Sequence, residues 1–298
     1  MNLYGGIEAG GTKFNCIIAT GPDDIRAEIR IPTTTPKETL SEVIEFFQDF
    51  QQSKGVRISS IGIACFGPAD LHEESKTWGY ITSTPKAGWA DTNIAGPVSE
   101  ALGVPVAFDI DVNGAGLGEY AWGNGRGLSS FIYVTIGTGI GAGIIIDGKP
   151  VHGLVHAEVG HIRIPHDWKV DSFPGGCPFH GDCFEGLANG PAIKARWGKP
   201  AEELQPDHPA WDLEATYIAL ACHNLVCSYS PERIILGGGV MSQEQLFPKI
   251  RKKLVQLLNG YVQSPAIIDH TDRYITPPGL GSRAGELGAI FMAKNLKE

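Results

Sequence analysis

Long apolar runs are missing from this sequence. The nearest candidate for a membrane span, Phe131 to Ile146, is too short and is broken by glycines, so no bilayer-crossing helix is expected. Basic residues are scarce as well. The 24 Lys and Arg against 33 Asp and Glu leave a net charge of -9, and phosphate backbones demand clustered Lys and Arg, which argues against nucleic acid as a partner. Any anionic ligand has to be met locally. Six cysteines in 298 residues do not make a disulfide framework. Cys16, Cys65, Cys222 and Cys227 sit in apolar runs as small core residues, and a reducing cytoplasm is expected. Nor does Met1-Asn2-Leu3-Tyr4 read as a secretion signal, because a glycine hairpin starts at once.

Glycine, by contrast, is plentiful, and two glycine turns organise the chain. In Gly5 to Phe14, GGIEAGGTKF, a short apolar strand folds back on itself. The Gly10-Gly11 pair is expected to turn through positive φ and to bring amide N–H groups close to an anion, with Thr12 and Lys13 adding a hydroxyl and a charge. Glu8, just before the turn, cannot hold phosphate but can help to hold Mg²⁺ shared with it. An ordinary hairpin turn explains the same residues. The second turn, FIYVTIGTGIGAGIII from Phe131 to Ile146, again joins strands rich in β-branched residues and offers amides and a hydroxyl at Gly137-Thr138-Gly139. One such hairpin per domain is the arrangement of actin-type nucleotide enzymes; a glycine-rich meander is the plain alternative.

A chain of 298 residues has room for two domains, each with its own core. After the first hairpin, Ala27 to Ile31 reads as a third strand. Thr35, Pro36 and Glu38 then carry a capping box at the start of a helix, whose stripe is Leu40, Val43, Ile44, Phe47 and Phe50. A strand from Ile58 to Phe66 ends at Gly67-Pro68, at the strand edge where α/β folds place ligands. Strand, strand, strand, helix, strand suits a ribonuclease-H-like domain. The segment Trp78 to Trp89 has no period and contains TSTPKAGW; Thr84, Pro85 and Lys86 offer polar contacts to a sugar, and a structural loop pinned by Trp89 explains it equally. Leu102 to Ile110 reads as a strand ending in Asp111, which can accept a hydroxyl proton or cap the helix Asn113 to Trp122.

Further along, His161, Cys177, His180 and Cys183 bring two histidines and two cysteines together at zinc-ligand spacing. Four such ligands leave no open position, so a metal there is expected to be structural; a Cys177 to Cys183 disulfide or a chance cluster are the competing readings. Glu158 lies three residues before His161, where the metal can fix it; a solvated loop glutamate is the plain alternative. Helices are expected at Ala192 to Trp197 and Trp211 to Tyr229, the latter with Ile218, Cys222, Leu225 and Val226 inward. The strand Arg233 to Leu236 runs into Gly237-Gly238-Gly239, where a flat adenine or ribose can lie against backbone, or where the chain simply turns into its next helix. A terminal helix from Gly285 to Lys294 is expected to return to the first domain.

EAGGTK, the Asp111 strand end, TIGTGIGAGI followed by DGKPVHGLVHAEVGH, the cysteine knuckle and ILGGGV together resemble the ROK family of bacterial sugar kinases over essentially the whole chain. TPKAGW and CPFHGDC are similar to its fructokinase branch. The resemblance implies an α/β fold of the actin-like ATPase, ribonuclease-H-like, type. Two similar domains would flank a cleft, residues 1–112 with a returning helix at about 285–298, and residues 113–284 with a zinc-binding insertion. It implies ATP with Mg²⁺, and structural Zn²⁺ at His161, Cys177, His180 and Cys183. Asp111 would be the base that takes the sugar hydroxyl proton, and Glu158 with His161 would form a wall of the sugar pocket. Gly10, Gly11, Thr12, Lys13 and Thr138 would face the phosphates, with Pro191 and Gly237 to Gly239 flanking adenosine. Many members have aspartate at the position of Glu8 and asparagine at that of Ile110; the second difference leans from glucose towards fructose. The expected reaction is therefore transfer from ATP to a hexose, fructose ahead of mannose or glucose, by a cytoplasmic homodimer. Repressors of the same family need a helix-turn-helix, for which the hairpin starting at Gly5 leaves no room before it, and a non-catalytic sugar-binding protein is the remaining rival.

Overall fold

A computed structural model of the chain describes residues 2–296 and divides into two compact units. Unit 1 comprises the described residues up to Gly127, Gly148–His156, and those from Gly279 onward; unit 2 comprises Leu128–Asp147 and Ala157–Pro278.

Unit 1 begins with strands β1 (Leu3–Ala9), β2 (Lys13–Gly21) and β3 (Asp24–Pro32), helix α1 (Pro36–Lys54) and strand β4 (Ile58–Cys65). A short strand pair, β5 (Tyr80–Ile81) and β6 (Thr92–Asn93), precedes α2 (Ala95–Leu102), β7 (Val106–Ile110) and α3 (Asp111–Trp122). The sheet runs β3-β2-β1-β4-β7; the first three strands form an antiparallel meander, and β1, β4 and β7 are parallel. Parallel strands end on one edge, so whatever follows Ala9, Cys65 and Ile110 is gathered there. The capping box of α1 is present, with Thr35 accepting from the Glu38 N–H and the Glu38 carboxylate accepting from the Thr35 N–H. Leu40, Val43 and Phe47 are buried, whereas Ile44 and Phe50 are only half-buried.

In unit 2, β8 (Ser130–Ile136) and β9 (Ile140–Ile146) form the second hairpin. The two-residue strand β10 (Lys149–Pro150) belongs to unit 1. Helices α4 (Phe184–Ala188), α5 (Gly190–Trp197) and α6 (Ala210–Tyr229) lead to β11 (Ile234–Gly237), and α7 (Leu246–Leu258), α8 (Pro265–Ile268) and α9 (Thr271–Tyr274) lead to β12 (Ile275–Thr276). Within the unit the strand order is β9-β8-β11-β12, with β8 parallel to β11. An antiparallel hairpin whose first strand pairs in parallel with a later one is thus the plan of both units. Ile218, Cys222, Leu225 and Val226 of α6 are all buried. Cys227 is exposed, because it falls on the opposite side of the last helical turn, and so is not a core residue. Among the described residues no helix is long and apolar enough to cross a membrane.

Two boundaries differ from expectation. Leu102–Ile110 is not one strand: α2 ends at Leu102, Gly103 caps it in the left-handed region at φ 63°, and extended pairing starts at Val106. The unit boundary also falls after α3 and not at residue 112, because α3 packs closely on the terminal helix α10 (Ala284–Lys294). Glycines make that approach. A Cβ on Gly288 would stand 1.7 Å from the Gly114 carbonyl oxygen, and one on Gly118 would stand 2.4 Å from that of Ala284. On the sheet side, a Cβ on Gly62 of β4 would stand 1.9 Å from the Ala289 oxygen. All of these obstacles are backbone. Gly288→Ala is therefore expected to destabilise the protein by roughly 3 kcal/mol, read as a lower urea midpoint at unchanged slope. An unchanged midpoint would mean that the two helices do not pack at this distance.

Candidate active site

The C-terminal edge of β1, β4 and β7 carries the first set of candidate residues. Ala9 pairs with Cys65 and Cys65 with Ile110, so the Gly10 turn, the Gly67-Pro68 turn and Asp111 emerge side by side. The Phe66 N–H donates to the Ala9 carbonyl at 2.7 Å, extending the register one step beyond the strands. Gly10 donates to the Lys13 carbonyl at 2.9 Å, and Thr33 closes the turn from outside, its hydroxyl donating to the Gly10 carbonyl at 2.7 Å. Neither Gly10 nor Gly11 adopts positive φ, contrary to expectation. Gly10 is required for space instead, since a Cβ there would stand 2.8 Å from the Lys13 oxygen, and nothing lies within 4 Å of one at Gly11.

Glu8 lies in β1, just before the turn, as expected. It accepts from Asn15 Nδ2 at 2.6 Å, and its carboxylate lies against Gly285 at the start of α10. Burial pushes its pKa above the usual carboxylate range, against the Asn15 hydrogen bond and the charge of Lys13. A cation would relieve that burial cost.

Asp111 is the first residue of α3, with Ile110 at the cap position, so the helix starts two residues earlier than Asn113. Its Oδ1 accepts from the Val112 N–H at 2.8 Å. Nearby burial, and then the Asp111 charge, drive the Cys65 thiol far above its usual range and leave it inert. Asp109, two residues earlier, is buried and accepts at Oδ1 from the Ile110 N–H and from Asn113 Nδ2, both at 2.7 Å, and at Oδ2 from His152 Nε2 at 2.9 Å. The Asp109 hydrogen bond raises the His152 pKa, against partial burial. Ile110 itself is buried, so it presents nothing to a ligand.

Gly67 and Pro68, joined by a cis peptide bond, are tied to the loop that follows. The Pro68 carbonyl accepts from the Thr82 N–H at 2.8 Å, and within the loop Lys86 donates to the Thr84 hydroxyl at 3.3 Å. Trp89 is fully buried against Phe14 and Phe66, and its indole N–H donates to the Thr34 carbonyl at 2.9 Å. That aromatic is a structural pin. Thr84 and Lys86 are half-buried and Pro85 is exposed, all within unit 1.

Unit 2 gathers a second set at the ends of β8 and β11, where Thr135 pairs with Gly237. The Gly137 carbonyl accepts from the Gly190 N–H at 2.8 Å, and the Thr138 carbonyl from Asn189 Nδ2 at 3.1 Å, so the hairpin tip rests on the start of α5, where Pro191 stands. A Cβ on Gly137 would lie 3.7 Å from Gly239 N, which puts the Gly237-Gly238-Gly239 turn beside the tip. Gly238 alone needs a left-handed conformation, at φ 90°. The sequence offered no sign of Glu185, whose carboxylate accepts the Ile140 N–H at 2.8 Å and braces the hairpin. Glu119 was equally silent; fully buried, it accepts from the N–H groups of Asn124, Gly279 and Leu280 and fixes the end of α3 in unit 1.

His161, Cys177, His180 and Cys183 bring their ligand atoms within 4.8 Å of one another. Cys177 Sγ lies 3.7 Å from His161 Nδ1 and 3.6 Å from His180 Nδ1, and Cys183 Sγ lies 3.7 Å from His161 Nδ1. Tetrahedral zinc with ordinary bond lengths separates its S and N ligands by about 3.6 Å, which these three separations match. His161 turns its other nitrogen, Nε2, to Glu158 Oε2 at 4.0 Å. No disulfide joins the two cysteines.

The two hairpin sheets, each with a glycine turn at its carboxyl edge, define an α/β protein of the actin-like ATPase class. The ROK family profile matches residues 4–296, and the chain belongs to the ROK family. The fructokinase of Zymomonas mobilis subsp. mobilis is 44% identical over 296 residues, covering 98% of this chain and 96% of that protein. That of Lactococcus lactis subsp. cremoris is 43% identical over 293 residues, covering 98% and 97%. Among solved structures, the ROK hexokinase from Thermus thermophilus superposes with a TM-score of 0.79 at 26% identity, covering 98% of each chain.

Proposed function

We propose that the protein transfers the γ-phosphoryl group of ATP to the 6-hydroxyl of D-fructose. The observation that carries this reading is the alignment of Asp111, the Gly67-Pro68 turn and the Gly10 turn along one sheet edge, in a chain more than 40% identical to fructokinases over nearly its whole length. Asp111 accepts the proton of the attacking hydroxyl, held at the start of α3 by the Val112 N–H. Gly67, Pro68, Thr84, Pro85 and Lys86 in unit 1, with Glu158 and His161 in unit 2, are the sugar contacts. Phosphoryl transfer depends chiefly on positioning and charge neutralisation. The amides of Gly10 and Gly11, with Thr12 and Lys13, are the phosphate contacts of unit 1; those of unit 2 are Gly137, Thr138 and Gly139. Pro191 and Gly237 to Gly239 flank adenosine.

Mg²⁺ bound with ATP would supply charge neutralisation at the phosphates, and Glu8 is the carboxylate that would help to hold the ion or its water shell. Zn²⁺ at His161, Cys177, His180 and Cys183 is structural, since four protein ligands leave no position for a reactant. The reading carries with it a cytoplasmic homodimer whose second unit contains the zinc insertion.

Fructose is favoured over glucose because Ile110, buried at the strand end, offers no side-chain hydrogen bond to a sugar hydroxyl. A coupled ADP-release assay over fructose, mannose and glucose tests this. The highest kcat/KM is expected with fructose; a higher value with glucose would overturn the substrate assignment, and no hexose-dependent ADP release would favour a binding protein.

A further inference from the structure

The segment Gly148–His156 belongs to unit 1 although unit 2 residues flank it on both sides in the chain. Histidines secure it at three points. His152 Nε2 donates to Asp109 Oδ2 at 2.9 Å, and His156 Nε2 accepts the Ala69 N–H at 3.3 Å. His72 reaches across to the Leu154 carbonyl at 3.0 Å. Two of these contacts end beside candidate site residues. Asp109 and Asn113 flank Asp111 at two residues on either side and are bonded to each other at 2.7 Å, so the turn bearing Asp111 is clamped beneath its own carboxylate. Ala69 directly follows Gly67-Pro68, and a Cβ on Gly67 would stand 3.3 Å from His156 Nε2, so the imidazole fills the space behind that turn.

We propose that His152 and His156 are positioning residues with separate duties: His152 acts through Asp109 on the placement of Asp111, and His156 acts through the Ala69 N–H on the sugar-binding turn. The inference rests on the kinase reading above. Each histidine would act through the group it bonds, the Asp109 carboxylate or the Ala69 N–H. His152 is partly exposed and ends on a buried carboxylate that would otherwise keep only its two Oδ1 partners, whereas His156 is buried and pairs with a backbone donor. Loss of the first loosens a base without altering the sugar contacts, and loss of the second displaces sugar contacts without altering the base.

The test is steady-state kinetics with fructose and ATP varied separately, for the wild type, Asp111→Asn, His152→Ala, His152→Gln, His156→Ala and His156→Gln. His152→Ala is expected to lower kcat about tenfold to a hundredfold at nearly constant fructose KM, because a small misplacement of a reacting group is costly. His156→Ala is expected to raise fructose KM about tenfold with ATP KM unmoved. The glutamine variants should recover most of each loss, since a Gln amide can donate to Asp109 and a Gln carbonyl can accept from Ala69. Near wild-type constants in both alanine variants would overturn the inference. So would a glutamine variant that keeps the full expected loss relative to wild type, a comparison that also decides the matter if an alanine variant fails to fold. Normal turnover in Asp111→Asn would instead overturn the kinase reading itself.

Discussion

Asp111→Asn is expected to lower turnover by about 10²–10⁴-fold, the range that a positioned general base contributes, while leaving ATP affinity nearly unchanged. The amide keeps the shape and can still accept the Val112 N–H, so α3 should start where it does now. It cannot take a proton at neutral pH. The neighbouring Asp109 cannot substitute for it, because its carboxylate is buried and already accepts three hydrogen bonds. Asp109→Asn consequently makes an instructive comparison: it weakens the clamp but leaves Asp111 in place, and its loss should be partial. Fluorescence titration with an ATP analogue alongside turnover separates the two effects; equal losses in affinity and turnover would point to a collapsed site.

Loss of the metal site should produce the second large effect, and it should reach beyond the knuckle. Cys183 stands at the cap of α4, the first turn of that helix carries Glu185, and the Glu185 carboxylate holds the Ile140 N–H of the second glycine hairpin. Asn189, at the end of the same helix, holds the Thr138 carbonyl. Without a cation, burial and then the neighbouring Cys177 push the Cys183 thiol up to about 11, so removal of the ion leaves a protonated Cys183 sulfur that no longer helps to draw the ligands together. Cys183→Ser is expected to lower Tm by on the order of 10 °C and to weaken ATP binding, with zinc content falling from one equivalent to near none. Purified wild-type protein holding far less than one equivalent of zinc, or a variant with unchanged Tm and ATP affinity, would contradict the assignment.

What could be seen in advance was local. The capping box at Thr35, the knuckle ligands and the two glycine hairpins are each written within a short stretch, where spacing and residue type determine the geometry. The conformation of the first turn was misjudged even so. Glycine is needed at position 10 to let the Lys13 carbonyl approach, whereas positive φ was expected. Longer-range partners left no local trace. Glu119 meets Gly279 across 160 residues of chain, His156 meets Ala69 across 87, and Glu185 meets Ile140 across 45. The glycines of α3 likewise meet α10, far along the chain. Leu102-Gly103-Val104-Pro105 looked like strand because it is apolar, but Gly103 ends a helix there and extended pairing begins only at Val106.

The central claim is tested most directly by following the phosphorus. Incubation of the protein with ATP, Mg²⁺ and D-fructose, monitored by ³¹P NMR, should show the γ-phosphate signal replaced by a phosphomonoester coupled to the C6 protons of fructose, with ADP formed in equal amount. Appearance of inorganic phosphate alone, or no change in the ATP signals at saturating sugar, would contradict it.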